Sequence, residues 1–181
     1  MHILRSAQHR RMPWKNGGGE TLEIAIFPPG ASVDNFSWRV SMARVDASGP
    51  FSLFSGTDRI LAVLEGAMNL IVPGRPPVRL SPTSTPHEFP GDAPAHAEVL
   101  STVTDLNVMI RRNEFSAQVH KLTQAKVLTD SDETFVLVRS NAQLATGETL
   151  ERDDVVRLSP SESIVFDGGL PDAWLIQIKP H

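Results

Sequence analysis

The sequence of 181 residues contains no cysteine and no tyrosine. Without cysteine the chain can form no disulfide, no thiolate metal site and no cysteine nucleophile. No apolar run approaches the roughly 20 residues that a transmembrane helix needs, and the N-terminus lacks the apolar stretch of a signal peptide. We therefore expect a cytoplasmic protein that does not associate with a membrane.

An excess of positive charge is also missing, because the formal net charge is −4. A general nucleic-acid surface needs a basic face, so we expect no nucleic-acid partner. Hydrophobic residues make up 40% of the chain, which is enough to bury a core in one domain or in two small fused units.

Motifs for metal binding and covalent catalysis are absent as well. The six histidines form no H-x-H or H-x-x-x-H pair, and His87 and His96 lie in a stretch rich in proline. There is no G-x-S-x-G nucleophile elbow, and no G-K-[ST] follows the glycine run. We therefore expect no metal, no cofactor and no catalytic nucleophile.

What the chain does have is strand-like alternation between frequent turns. Fourteen prolines and twelve glycines divide it into short segments, which favours many short strands over long helices. In the segment 36–45, Phe36, Trp38 and Val40 point one way and Arg39 points the other. The segment 58–72 is interpreted as two strands hinged at a glycine, and only residues 117–127 have a weak helical character.

The pentapeptide VRLSP occurs twice, at residues 78–82 and again at 156–160. Each copy precedes a phenylalanine, a turn that contains glycine and a final apolar strand, which favours duplication of a β-unit. We expect an all-β, cupin-type double-stranded β-helix (jelly roll) in a bicupin arrangement. Residues 1–112 would form the first barrel and residues 113–181 a smaller second unit. A simple β-sandwich is the alternative.

Three consecutive glycines follow Trp14, Lys15 and Asn16, just before the first strand of the barrel. Ordering three glycines is costly in conformational entropy, so the run needs a reason. It is either a hinge or arm across the barrel, or a set of backbone N–H groups that cradle an anion. The adjacent lysine and asparagine side chains favour the second interpretation.

Charged and amide side chains lie in or beside the short strands. Either Arg39 lies on the surface, or it points into a cavity of the barrel. A guanidinium is a rigid fork of donors that suits a carboxylate. The same polar set also includes Asp58, Arg59, Asp105, Asn107 and Arg111.

Three stretches of the chain together resemble the HutD/Ves family of small bicupin proteins: MPWKNGGGETLEIAIFP, FSWRVSMARVDASGPFSLFSGTDRILAVLEGAMNL and DLNVMIRR. The resemblance covers about residues 10–112, and the remainder by length and by the second β-unit. It implies a cupin-type fold without the metal-binding histidines of metal-dependent cupins. HutD members are associated with bacterial histidine utilisation and are regarded as regulators that limit the output of the pathway by binding an intermediate such as urocanate or formylglutamate; Ves-like members are linked to cold response.

The positions that the resemblance carries over by motif fall here on Trp14, Lys15, Asn16, Gly17, Gly18, Gly19, Trp38, Arg39, Asp58, Arg59, Gly66, Asp105, Asn107 and Arg111. All of them except Gly66 are candidate ligand-binding residues.

The resulting hypothesis is a metal-free cupin that binds a small carboxylate metabolite and limits histidine utilisation. Lys15, Arg39, Arg59 and the glycine run would hold the carboxylate. Asn16 or Asn107 would bind a second polar group, and Trp38 or Trp14 would pack on the apolar part of the ligand.

Two other functions stay open. The chain could be a metal-independent isomerase or hydrolase that acts on an intermediate of histidine catabolism, with an acid or base among Glu20, Glu23, Glu65, His87 and Asp105. It could also be an interaction module that binds a partner strand at a sheet edge. Exposed sheet edges also favour a homodimer.

Overall fold

The computed structural model describes residues 1–14 and 17–181. Within these ranges the chain is almost entirely β-structure, with one short 3₁₀-helix, Ser6–Gln8, and no α-helix. The first nine strands are β1 His2–Leu4, β2 Arg10–Pro13, β3 Gly19–Phe27, β4 Trp38–Val45, β5 Gly49–Pro50, β6 Thr57–Ile71, β7 Val78–Leu80, β8 His87–Pro90 and β9 His96–Arg111. The other strands are β10 Phe115–Lys121, β11 Lys126–Leu128, β12 Glu133–Val138, β13 Ala142–Leu144, β14 Thr149–Leu150, β15 Val155–Leu158, β16 Ser163–Asp167 and β17 Ala173–Pro180.

The all-β fold expected from the sequence is confirmed, and the weak helix expected at residues 117–127 is wrong. That segment forms β10 and β11 instead. Residues along β10 alternate between half-buried and exposed up to the buried Val119, so the segment buries one face with a period of two. Pairing with other strands in the folded protein overrides a weak local preference for helix.

The chain divides into two compact units, residues 10–115 and residues 1–9 together with 116–181. The expected bounds placed the first nine residues with the N-terminal barrel. In the structure, β1 pairs antiparallel with β15, and Ile3 lies opposite Val156. The buried carboxylate of Asp154 accepts a hydrogen bond from the backbone N–H of Ser6 at 2.8 Å. These contacts tie the N-terminal segment to the C-terminal unit, whereas the bicupin arrangement stays a prediction.

The unit of residues 10–115 is built on one antiparallel sheet with the strand order β2-β3-β4-β9-β6-β7, in which β5 also pairs with β9 and β8 with β6. The long strand β6 was expected as two strands hinged at Gly66. It is one strand whose pairing with β9 is irregular around that glycine. Gly66 has φ +75°, and a Cβ there would lie 2.0 Å from the carbonyl oxygen of Thr102. Only glycine fits this bend, which lets β6 and β9 curve together.

Strand β4 is buried on both faces. Trp38, Val40 and Met42 fill one face, as the alternation predicts, but Arg39 and Ser41 on the other face are buried as well. Farther along that second face, an apolar cluster closes the interior of the unit and includes Val45, Leu61, Val63, Met68, Leu70, Leu80, Phe89 and Ala97. The second face of the sheet is therefore polar at one end and apolar at the other.

The C-terminal unit contains two sheets, with strand orders β1-β15-β12-β17-β10 and β11-β16-β13-β14. Its core is apolar and includes Val136, Val138, Leu144, Leu158, Ile164 and Phe166.

The two VRLSP segments occupy different positions in the two units. The first copy forms β7, which pairs with the C-terminal half of β6. The second copy lies in β15, which pairs with β12. In the unit of residues 10–115 the similar pairing, with the N-terminal half of β6, is made by β8 and not by β7. An alternating V-R-L pattern fits any strand with one buried face, so five identical residues do not identify equivalent strands.

No helix in the described ranges is long and apolar enough to span a membrane.

Candidate functional site

A cavity of about 460 Å³ opens in the unit of residues 10–115, on the polar end of its sheet. It is bounded by strands β3, β4, β6 and β9 and by the loops around β5. The residues that line it are Trp14, Gly18, Thr21, Arg39, Ser41, Ala43, Val45, Ala47, Ser48, Gly49, Pro50, Phe51, Ser52, Phe54, Arg59, Ala97, Asp105, Asn107 and Met109.

The strand register assembles the polar wall of the cavity. Strand β9 lies between β4 and β6, and residues opposite each other point to the same face. This register makes three rows across the sheet: Arg39–Met109–Arg59, Ser41–Asn107–Leu61 and Ala43–Asp105–Val63. Side chains that are far apart in the sequence therefore form one continuous surface.

Arg59 is a buried cation held by aromatic rings. Its side chain is 4% exposed, and the guanidinium carbon lies 4.7 Å from the ring centroid of Phe51, 5.2 Å from that of Phe89 and 5.8 Å from that of Phe54. Nη1 donates to the carbonyl oxygen of Ser52 at 3.3 Å, and Nε has no partner. Burial lowers the pKa of Arg59 to about 10, so the guanidinium is still charged at neutral pH.

Asp105 is a buried acid in the same cavity and is 2% exposed. Burial raises its pKa to about 7, although the charge of Arg59 and a hydrogen bond from the backbone of Ala43 act in the opposite direction. Its Oδ1 has no hydrogen-bond partner, and neither does Oδ1 of Asn107, two residues farther along β9. Unpaired buried acceptors are costly, so these two oxygens are unusual in a folded protein.

Arg39 lies in the cavity wall, which settles the alternative that the sequence left open. Its Nε donates to Oε2 of Glu23 at 2.7 Å, and both side chains are buried. A β-bulge in β3 between Glu23 and Ala25 interrupts the alternation next to this ion pair. No described residue accepts a hydrogen bond from Nη1 or Nη2 of Arg39.

The charges around the cavity are therefore mixed. Lys15, Arg39 and Arg59 were expected to hold a carboxylate together, but Arg39 is paired with Glu23, and Asp105 lies in the field of Arg59. Lys15, the other expected cation, lies outside the described residues, as does Asn16.

The loop between β2 and β3 closes on itself through its backbone. Gly17 has φ +70°, and its N–H donates to the carbonyl oxygen of Trp14 at 3.0 Å. The N–H of Trp14 in turn donates to the carbonyl oxygen of Gly19 at 2.9 Å. The N–H of Gly17 is thus used inside the turn rather than in an anion cradle.

The close approach of the neighbouring backbone explains why residue 19 is a glycine. A Cβ at Gly19 would lie 2.1 Å from the carbonyl oxygen of Arg44 and 3.1 Å from the ring of Trp14. The carbonyl oxygen of Gly18 accepts a hydrogen bond from the N–H of Asp46 at 3.0 Å. The glycine run therefore brings the loop against the end of β4 and positions Trp14 at the cavity.

Comparison with known proteins identifies the family. The model of the HutD family matches residues 6–173. The chain belongs to the HutD family. A protein of Pseudomonas putida described as an uncharacterised 21.2 kDa protein in the hutC 3′ region is 34% identical over 170 residues, which cover 93% of this chain and 87% of that protein. Protein Ves of Citrobacter koseri is 36% identical over 115 residues, or 61% of this chain and 59% of Ves.

Solved structures agree with the family. HutD from Pseudomonas fluorescens SBW25 superposes with a TM-score of 0.84 at 26% identity and covers 99% of this chain and 98% of that one. A cupin 2 conserved barrel protein of Leptotrichia buccalis has a TM-score of 0.57 at 8% identity over 88% of each chain, a likeness that concerns the fold alone. This HutD-family protein thus has a cupin-type fold and belongs to a group associated with histidine utilisation.

The structure brings together six of the thirteen candidate ligand-binding residues of this HutD-family chain. The six that line the cavity are Trp14, Gly18, Arg39, Arg59, Asp105 and Asn107. Gly17 and Gly19 shape the adjoining turn without lining it, and Lys15 and Asn16 are not described.

The other three candidates lie away from the cavity. Trp38 is on the opposite face of β4 and stacks on Phe27, with 5.7 Å between ring centroids. Asp58 is near the surface, where it accepts a hydrogen bond from Nε of Arg112 at 2.8 Å. Arg111 donates to the carbonyl oxygens of two loop residues, Ser55 and Phe36. Because successive residues of a strand point to opposite faces, Trp38 and Arg39 lie on different faces of β4, and Asp58 and Arg59 lie on different faces of β6.

Sequence reasoning missed the aromatic rings around Arg59 and the ion partner of Arg39. Phe51 and Phe54 belong to a loop, and alternation does not predict where loop side chains pack. Glu23 was considered only as a candidate acid or base. Ser41 and Met109 could have been found, because each lies two residues from a candidate on the same strand face.

Among the described residues, no group of three His, Asp or Glu side chains could hold a metal ion. What the cavity contains instead is two guanidinium groups on one row, unpaired acceptor oxygens on the neighbouring rows and apolar walls. Such a site can bind a small polar molecule through directed hydrogen bonds.

Proposed function

We propose that this HutD-family protein is a cytoplasmic, metal-free cupin that binds a small carboxylate metabolite, such as urocanate or formylglutamate, and limits histidine utilisation. The observation that carries the proposal is the row Arg39–Met109–Arg59. It holds two buried guanidinium groups on the wall of one cavity.

Free donors on this row support a carboxylate ligand. Arg39 uses Nε for Glu23, and Arg59 uses Nη1 for Ser52. The remaining Nη atoms of the two side chains meet no acceptor among the described residues. A carboxylate between two guanidinium groups would accept charge-assisted hydrogen bonds, which are roughly twice as strong as neutral ones.

The rest of the cavity suits the carbon skeleton of such an acid. Trp14, Phe51, Phe54 and Met109 supply apolar surface beside the arginines. A volume of about 460 Å³ lies in the range of small-molecule sites. A planar ring or a short carbon chain could pack on these side chains while its carboxylate meets the arginine row.

Binding can be tested by titration calorimetry and thermal unfolding with urocanate, N-formylglutamate and histidine. A ligand at a concentration 100 times its Kd should stabilise the protein by about 2.7 kcal/mol. Arg59→Gln should abolish the heat of binding. Arg112→Gln is the matched control, since Arg112 is paired with Asp58 and Asp92 outside the cavity and should not affect binding. Absence of heat and of stabilisation with all three compounds would contradict the proposal.

The regulatory part needs a cellular test. In a host that uses histidine as nitrogen source, replacing the wild-type gene by Arg59→Gln should raise expression of the histidine-degrading enzymes, as a deletion should. Unchanged expression in both strains would leave a binding protein without the proposed regulatory role.

A second candidate function rests on Asp105. A buried carboxyl whose pKa is raised to about 7 is suited to transfer a proton at neutral pH. The protein would then be a metal-independent isomerase or hydrolase of an intermediate of histidine catabolism. Time-dependent loss of urocanate absorbance that Asp105→Asn abolishes would favour this activity; stable absorbance with bound urocanate would favour the binding protein.

A further inference from the structure

We propose that the ligand of this cavity carries an N–H donor at the end remote from its carboxylate, and that Asp105 and Asn107 accept hydrogen bonds from that end. The inference rests on the proposed function, because it uses the same cavity and takes the arginine row as the carboxylate site. It defines the chemical class of the ligand further, as an elongated acid with a polar donor.

Two unpaired acceptors are the main observation. Oδ1 of Asp105 and Oδ1 of Asn107 are buried and accept no hydrogen bond from the described residues, and both residues line the cavity. A native structure retains such atoms where a ligand or water completes them, because each unpaired buried acceptor costs about 1–3 kcal/mol. The cavity therefore lacks donors at this place.

The protein's own cations do not supply these donors. Three charged side chains line the cavity: Arg39 on β4, Arg59 on β6 and Asp105 itself on β9; Glu23 on β3 lies next to them as the ion partner of Arg39. Arg39 donates to Glu23, and Arg59 donates to the backbone of Ser52. Within the described ranges, no nitrogen of Arg59 lies within ion-pair distance of the carboxylate of Asp105, although the two charges influence each other.

The rows of the sheet set the spacing of the ligand groups. Arg39 and Arg59 flank Met109, whereas Asn107 and Asp105 lie one and two rows closer to the N-terminal end of β9. Neighbouring residues on one face of a strand are about 7 Å apart. A ligand whose carboxylate lies between the arginines would thus meet the acceptors with its opposite end.

Protonation of Asp105 should make the affinity for the ligand depend on pH. Its pKa of about 7 means that the free protein is a mixture of both forms at neutral pH. An N–H donor binds the ionised carboxylate, so the affinity should fall as the pH drops below 7. One pH unit below the pKa the loss approaches about tenfold, the expected factor for a single proton.

Two synthetic acids of equal shape test the inference. The probes are 3-(pyrrol-3-yl)acrylate, which carries a ring N–H that does not titrate near neutral pH, and 3-(furan-3-yl)acrylate, which has a ring oxygen instead. Calorimetry at about pH 8 should show the pyrrole acid binding at least about tenfold more tightly than the furan acid, and the preference should shrink at about pH 6. Asp105→Leu should remove the preference, and Asp105→Asn, which keeps an acceptor oxygen but does not titrate, should remove its pH dependence.

The outcomes separate the two proposals. If both acids bind equally to the wild type at both pH values, the donor inference is wrong and carboxylate binding stands. If neither acid nor any of the three natural compounds binds, both proposals fail. Thermal unfolding of each variant verifies that it is folded; should Asp105→Leu not fold, the pH profile of Asp105→Asn decides.

Discussion

Two aspartates in different units are buried to the same extent but have opposite electrostatic properties. Asp154, in the C-terminal unit, is 1% exposed, and Asp105, in the unit of residues 10–115, is 2% exposed. Burial acts to raise the pKa of Asp154, yet hydrogen bonds from the backbones of Ser6 and Glu151 and from Arg5 outweigh it and lower the pKa. The pKa of Asp105 is raised to about 7 by burial.

The difference shows that hydrogen bonds from two backbone N–H groups and from Arg5 can outweigh burial, and such bonds mark Asp154 as a structural acid. Asp154 accepts hydrogen bonds at 2.7, 2.8 and 3.0 Å and thereby fixes the N-terminal segment on the unit. Buried hydroxyls of the same unit are paired as well, for example Thr129 with Thr134. His9 is the exception there, since neither of its ring nitrogens has a partner. In the other unit, the unpaired atoms lie together at one cavity.

The largest effect is expected from breaking the buried ion pair of the cavity wall. Arg39→Gln leaves the carboxylate of Glu23 buried with only the exposed Arg10 at 3.8 Å, and should lower the free energy of unfolding by about 3–5 kcal/mol. The double variant Glu23→Gln with Arg39→Gln should recover much of this loss. Urea unfolding of Arg39→Gln, Glu23→Gln and the double variant measures it; a loss in the double variant equal to the sum of the two single losses would show that the pair is not coupled.

A smaller loss of stability is expected when Asp154, the structural acid of the comparison, is replaced. Asp154→Ala leaves backbone N–H groups of Ser6 and Glu151 without their acceptor and should lower the free energy of unfolding by about 2–3 kcal/mol. The pKa of Asp154 is lowered in the folded state, so its contribution is present above the unfolded pKa of about 3.9 and disappears as the pH falls through the folded pKa. Ligand affinity should not change, and a large change would mean that the two units are not independent.

Asp105→Asn should change stability in the opposite direction. Because the folded-state pKa is raised to about 7, the wild type is destabilised as the pH rises from about 4 to 7, and the cost is complete above pH 7. The variant should be more stable than the wild type at high pH, and the difference should vanish in acid. Chemical unfolding at several pH values tests the sign; a constant difference across the range would contradict the assigned pKa.

The smallest effect is expected for the exposed arginine. Arg112 is bonded to Asp92 and Asp58, and these hydrogen bonds raise its pKa. Exposed pairs contribute about 0–1 kcal/mol, so Arg112→Gln should change stability by no more than that. The same substitution at Arg39 and Arg112 would then differ severalfold in cost. A similar cost at both sites would refute the contrast between buried and exposed pairs.

Much of the fold follows from the sequence by alternation and turn residues. The two faces of β4 were predicted from alternation, because a period of two assigns successive side chains to opposite faces. Alternation does not predict which strands pair with each other in the sheet. The duplicated pentapeptide therefore suggested equivalent strands where the pairing of β7 and β15 differs.

The site could be predicted only in part for the same reason. Arg39, Arg59 and Asp105 carry chemistry that is visible in the sequence, but their meeting depends on the register of three strands. The bulge between Glu23 and Ala25, next to the ion pair of Glu23 with Arg39, has no obvious mark in the sequence. The ring positions of Phe51 and Phe54 depend on loop conformation.

Trp14 gives the cavity its own optical reporter. The chain has three tryptophans and no tyrosine, so its ultraviolet emission comes almost entirely from indole. Trp38 and Trp174 are buried away from the cavity, whereas Trp14 lines it and donates from Nε1 to the hydroxyl of Thr21 at 2.9 Å. A molecule that enters the cavity changes the surroundings of one indole and leaves the other two as an internal reference. Occupancy can thus be followed by intrinsic fluorescence, without a label and without altering any residue of the site.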